Sequence, residues 1–299
     1  MINIKKYIVF LLIVVLSFYG CNFKSNNSFD KKENDVLRYE WQLEYIHAPN
    51  VWSKTKGKTI TIAVIDSGIN YNLLGTTFDK TRIIASYNAY DENEDMTDYT
   101  SHGTSMISLI GSNGENGFYG VAPECKFIII KALNGSGMTN SDVLVKAINF
   151  AIKHKANIIN LSLGSEKEDS LVAEAINAAF NQNIIVTGAI GDNGKETICF
   201  PASLDTVLGV GAIDCNGKLY SKSNYNNYIN VIAPGVDVMV PRINIFNETV
   251  NSLKSGSSIA TAIFSGYLAL YLDYIENYTV EDIYLKFSKL CSLDLANVI

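Results

Sequence analysis

The sequence predicts an α/β protein built on a predominantly parallel, twisted sheet with helices on both faces. Three observations carry this. Short apolar, β-branched runs alternate with helix-patterned stretches along the chain. Strands buried on both faces read as near-continuous apolar runs, and strand–helix–strand repetition builds a parallel sheet. The composition, 47% hydrophobic and 18% charged, supplies a sizeable core and excludes a disordered chain.

The chain opens with Lys5 and Lys6 followed by an apolar run over residues 7–18 broken only by Ser17. The run is well short of the ~20 residues that span a bilayer and fits the apolar stretch of an export signal over residues 1–20. Gly20-Cys21 ends it, in the pattern of a bacterial lipobox, with Cys21 as the lipidation site. The alternative is ordinary secretion with Cys21 as a free thiol. Residues 21–37 are rich in Asn, Ser, Lys, Asp and Glu and lack apolar periodicity, which reads as a flexible tether or short pro-segment. No second linker follows, so residues 38–299 are expected to form one domain.

Within that domain, residues 59–65, 126–132, 157–161, 184–189 and 207–212 read as buried strands. Residues 141–154 and 170–182 read as helices opened by Ser141 and Ser170; Leu144, Ile148, Ala151 and Ile152 share one face of the first. Ligands of open sheets of this kind bind beyond the C-terminal strand ends, which is where Asp66 falls. The net charge of −6 and the scattered lysines leave no basic stripe, so nucleic acid is excluded as a partner. Setting Cys21 aside, Cys125, Cys199, Cys215 and Cys291 are an even set that permits two disulfides in an exported protein. A core this large needs no staples, so free thiols are expected.

Three small islands carry chemistry. Val64-Ile65-Asp66-Ser67-Gly68 ends a strand, Ser101-His102-Gly103-Thr104 opens an apolar run, and Gly256-Ser257-Ser258 opens an apolar helix. They supply an acid, a base and a hydroxyl, the parts of a serine nucleophile system. Ser258 would start its helix, where the positive end favours developing negative charge and its N–H can serve an oxyanion. Taken alone it reads first as a helix cap, and the other two islands overturn that reading. His102 has the pKa range to take a proton from Ser258 and return it to a leaving amine. A carboxylate at the end of an apolar strand, as Asp66 is, costs desolvation unless it is satisfied, and an imidazole would satisfy it.

The order Asp66, His102, Ser258, with Gly120-Val121-Ala122-Pro123, 158–164, Phe200-Pro201-Ala202 and Ala233-Pro234-Gly235 between and after them, resembles the subtilisin-like serine proteases, the subtilases. The resemblance covers nearly all of residues 38–299 and implies the subtilisin-like fold and a serine endopeptidase with Asp66, His102 and Ser258 as its catalytic triad. It implies that Ser162, Leu163 and Gly164 pair with a peptide or protein substrate as an added strand, and that Cys199 lines the base of the primary specificity pocket.

One position departs from the family. The asparagine whose side chain donates to the oxyanion aligns with Asp192, and Asn193 follows one residue later. An ionised aspartate only accepts hydrogen bonds, so either Asn193 reaches the hole, Asp192 works protonated, or the protein is a weak or inactive pseudo-protease that binds peptides. No cofactor is required by the chemistry. Relatives often bind calcium in a loop like residues 112–119; Gly114 here replaces a liganding asparagine, and calcium is not predicted. The stretch between Cys21 and Arg38 falls far below the ~40 residues at which small domains stand alone, so no folding pro-domain is expected there. A short pre-segment, a bare catalytic domain and a surface anchor resemble lantibiotic leader peptidases, which implies maturation of a secreted peptide. The expected setting is the extracellular face of the membrane, held through lipid on Cys21, or secretion, as a monomer.

Overall fold

The structure is a computed structural model that describes residues 40–71, 78–114, 118–226, 229–244, 249–287 and 291–292. Cys21, the export signal and the tether lie outside the described residues. In chain order the elements are α1 (Trp41–Tyr45), α2 (Ala48–Val51), β1 (Thr61–Asp66), β2 (Ile83–Asn88), α3 (His102–Gly111), β3 (Lys126–Lys131), α4 (Ser141–Lys153), β4 (Ile158–Leu161), α5 (Ser170–Phe180), β5 (Ile185–Ala189), β6 (Leu208–Ile213), β7 (Val231–Pro234), β8 (Val238–Ile243), β9 (Thr249–Lys254), α6 (Ser257–Ile275), α7 (Val280–Phe287) and β10 (Cys291–Ser292).

Eight strands pair in the order β10-β7-β6-β5-β4-β1-β3-β2, all parallel. Period-two alternation divides their side chains between two cores. Ile62 and Val64 pack with Met106 and Ile110 of α3 and with Ile263, Phe264 and Leu268 of α6. Ala63 and Ile65 pack on the other face with Leu144 and Ile148 of α4 and Val172 and Ile176 of α5. β1 sits between β3 and β4, where the winding of the chain reverses, so its C-terminal end opens onto the crevice at the switch point.

The predicted strands and helices appear within one or two residues of their expected bounds. The caps differ. Asn140, not Ser141, closes the start of α4 by accepting the Val143 N–H at 3.0 Å, and Asp169, not Ser170, accepts those of Leu171 and Val172. In both cases the residue one position earlier has the extended backbone (φ −137°) that a cap requires. The Ser141 hydroxyl donates instead to Asp169, tying the two helix starts together.

α6 is long and apolar enough to cross a membrane, but it is mostly buried between α3 and the sheet and serves as the central core helix. Gly266 allows that fit: a Cβ there would stand 2.6 Å from the Val121 Cβ. Gly266→Ala is therefore expected to destabilise by about 1–3 kcal/mol through overpacking, read as a lower denaturant midpoint at unchanged slope.

Candidate active site

Asp66 ends β1 with 1% exposure, and His102 is the first residue of α3. The His102 Nδ1 stands 2.8 and 2.9 Å from the two Asp66 carboxylate oxygens. Close approach of α3 to the strand end depends on Gly103, where a Cβ would lie 2.5 Å from the Gly68 carbonyl and 3.2 Å from Asp66 Oδ1. Ser101, just before the helix, holds the left-handed backbone (φ 64°) that turns the chain into it.

A second carboxylate stands behind the first. Asp98, 2% exposed, accepts from the Ser67 hydroxyl at 2.8 Å, from the N–H and hydroxyl of Thr104 at 2.9 and 2.7 Å, and from Thr100. Ser67 also gives its N–H to Asp66 at 2.7 Å and accepts the Gly103 N–H at 2.9 Å. Asp98 thereby fixes the start of α3 against the strand that carries Asp66. The sequence analysis missed this residue, because a lone aspartate in a polar stretch gives no sign of burial. For His102, burial alone would lower the pKa, but the Asp66 charge and hydrogen bond, with the Asp98 charge behind them, outweigh it and leave the pKa raised.

Ser258 lies in the first turn of α6. It lines a cleft of about 270 Å³ together with His102, Asp192 and Gly256. Its hydroxyl donates to the Ser162 carbonyl at 3.0 Å, and the Ser162 hydroxyl donates back to the Ser258 carbonyl at the same distance. Among the other N–H groups at this helix start, that of Ser257 donates to Asp192, and those of Ile259 and Ala260 to the Gly256 carbonyl. The Ser258 N–H has no acceptor among the described residues.

Asp192 is turned onto the helix start. Its carboxylate takes the Ser257 N–H at 2.9 and 3.0 Å and the Ser257 hydroxyl at 3.0 Å. A Cβ at Gly256 would stand 3.0 Å from Asp192 Oδ2 and press on the carboxylate in this position. Burial raises the Asp192 pKa, and the hydrogen bonds from Ser257 offset part of that rise. Asn193 is not brought to the cleft: its N–H donates to Asn224 at 2.9 Å and its side-chain amide to Glu166 at 3.5 Å. The one-residue shift that would let Asn193 serve the oxyanion is therefore not seen.

Beyond the strand ends, a second cleft of about 820 Å³ runs between residues 133–141 and Ser162, Leu163 and Gly164, with Phe200 and Pro201 at its floor. Cys199 is buried, and its side chain wedges between Gly164 and Gly191. Burial, then the charges of Glu166 and Asp192, raise the pKa of its thiol, which keeps it neutral. Cys125, Cys199 and Cys215 are free thiols.

The sequence profile of the Subtilase family matches residues 57–286. The chain belongs to the subtilase family. Its relatives include the thermophilic serine proteinase of Bacillus sp. strain AK1, 33% identical over 257 residues that cover 83% of this chain and 61% of the relative. The intracellular serine protease of Paenibacillus polymyxa is 34% identical over 80% of this chain and 74% of that protein. The major intracellular serine protease of Bacillus subtilis strain 168 is 32% identical over 81% and 77%. As a subtilase the chain is a subtilisin-like serine peptidase, and its catalysis needs no cofactor. The residues quoted for the resemblance fall in the matched segment, and the structure gathers Asp66, His102 and Ser258 at one rim of the sheet.

Of the subtilase loop at residues 112–119, residues 115–117 lie outside the described residues. Glu40 accepts the Tyr119 N–H at 2.8 Å. Two residues on, Gln42 is 1% exposed, with neither amide atom partnered among the described residues.

Two outcomes are expected. An asparagine at residue 192 can keep the Ser257 N–H on its oxygen and turn its N–H₂ toward the cleft. Asp192→Asn is expected to raise kcat on the order of 10²-fold, more at neutral than at acid pH, because the native side chain can donate only when protonated. In a kcat/KM profile, the acid limb is expected above the ordinary imidazole pKa of about 6.5, since His102 must be neutral to act. The sign for stability is opposite: the raised His102 pKa stabilises the fold below that ordinary value, and the contribution is lost as pH rises through the raised one.

Proposed function

We propose that this subtilase is an exported serine endopeptidase that cuts peptide bonds through Ser258, His102 and Asp66. The observation that carries the reading is the two-oxygen contact of the buried Asp66 with His102 Nδ1, in a cleft that Ser258 also lines. That contact fixes the tautomer with the proton on Nδ1 and leaves Nε2 free to accept.

The substrate lies along Ser162, Leu163 and Gly164 as an added strand, with its side chain before the scissile bond directed toward Cys199. A neutral cysteine there favours a medium-sized apolar or polar side chain over a basic one. Ser258 Oγ attacks the carbonyl carbon while His102 Nε2 takes the hydroxyl proton, and Asp66 balances the imidazolium. The oxyanion takes the Ser258 N–H at the positive start of α6. His102 then gives its proton to the leaving amine, and a water activated by the same imidazole releases the acyl group.

Export rests on Lys5, Lys6, the apolar run and Cys21, which would hold a monomeric enzyme to the outer face of the membrane through lipid. Trimming a leader from a secreted lanthipeptide is the narrower substrate proposal, tested by cleavage of such a precursor against casein.

A second reading, a peptide-binding pseudo-protease, is favoured by one observation: Asp192 presents acceptors where a donor is wanted. A fluorophosphonate probe separates the two. Labelling of the wild type that is lost in Ser258→Ala and reduced at least ~10³-fold in His102→Ala supports the peptidase. Folded protein that stays unlabelled supports the binder.

A further inference from the structure

The β8–β9 hairpin lines the Ser258 cleft through Val240, Arg242 and Lys254. Its register pairs Val238 with Lys254, Val240 with Ser252 and Arg242 with Val250, so Val238, Val240, Arg242 and Lys254 share one face. Val238 and Val240 are buried in the core beside α3, and the Ser105 hydroxyl of α3 donates to the Pro241 carbonyl at 2.8 Å. That face is therefore turned toward the helix that carries His102. At its edges, Arg242 and Lys254 line the same 270 Å³ cleft as His102 and Ser258.

Neither cation has an ion-pair or hydrogen-bond partner among the described residues. The carboxylate that also lines the cleft, Asp192, is spent on Ser257. The non-prime side of the substrate occupies the cleft along Ser162–Gly164, so the hairpin side receives the residues released with the amine.

We infer that Arg242 and Lys254 select substrates with a carboxylate on the leaving-group side of the scissile bond. The inference rests on the peptidase reading and names the substrate class of its site. A half-exposed arginine and an exposed lysine lining a small cleft attract an anion at modest strength and in a salt-dependent way, whereas a lysine or arginine of the substrate at the same place meets like charge. The carboxylate has two sources, an Asp or Glu side chain one or two residues past the cut, or the free C-terminus of a substrate cut close to its end.

The test uses peptides that differ only beyond the scissile bond: Glu, Gln or Lys at the first and second positions with an amidated end, and a Gln peptide with a free or an amidated end. In low salt, kcat/KM for Glu is expected to exceed that for Gln about five- to tenfold, with Lys lowest and the preference shrinking in 0.5 M NaCl. The paired variant Arg242→Glu with Lys254→Glu is expected to reverse the order of Glu and Lys, which a merely structural role would not do. A gain seen only with the free C-terminus assigns the carboxylate to the chain end. Equal cleavage of all peptides overturns the inference and leaves the peptidase reading intact. Binding of the same peptides to Ser258→Ala, followed by fluorescence anisotropy, reads the preference without turnover. If no peptide is cut, the peptidase reading falls, and the anisotropy order still decides this one.

Discussion

A carboxylate buried at the end of a parallel strand is the constraint around which this site is organised. Asp66 cannot remain charged at 1% exposure without partners, and the fold supplies them from α3: the His102 ring, and Gly103, whose lack of a side chain lets the helix come close. Asp98 extends the same logic one layer back. Its oxygens are taken by Ser67, Thr100 and Thr104, so the loop before His102 and the first turn of α3 are locked to the strand end as a unit. The imidazole is oriented because two elements are fixed to each other, and only secondarily because one hydrogen bond is good.

The start of α6 shows a different economy. A helix N-terminus offers several N–H groups and a partial positive charge, and this one is shared between two purposes. Ser257 hands its N–H and hydroxyl to Asp192, while Ser258 lines the cleft and its N–H has no acceptor among the described residues. Asp192 therefore acts as a brace for the nucleophile turn. The brace and a second oxyanion donor are competing uses of one side chain: a carboxylate is the better acceptor for the helix start, and an amide is required for the hole.

The parts of this molecule legible in the sequence were those with strong local patterning. β1, β3, β4, β5 and β6 are buried on both faces, so each wrote a near-continuous apolar run. β2 did not, because its burial alternates at the sheet edge, and the β8–β9 hairpin did not, because half of its residues face water or the cleft. Asp66, His102 and Ser258 were recognisable because each sits beside small residues that the turn geometry demands. Asp98 and Lys254 lie in ordinary mixed stretches, Arg242 is a single charge among apolar residues, and all three acquire meaning only when distant segments meet. The caps at Asn140 and Asp169 show the same limit at short range: two adjacent polar residues compete for one role, and the backbone angle decides.

The order of the elements along the chain has a consequence for biosynthesis. β1 pairs with β3 and β4, so the crevice closes only after two long crossovers, and Ser258 rides on α6, one of the last helices to be made. A partly made chain that ends before α6 lacks Ser258 and the helix start beside it, so the cleft is incomplete until α6 packs between α3 and the sheet. Parallel pairings of this range also form slowly. The topology thus defers completion of the cleft to the last stages of chain synthesis and folding.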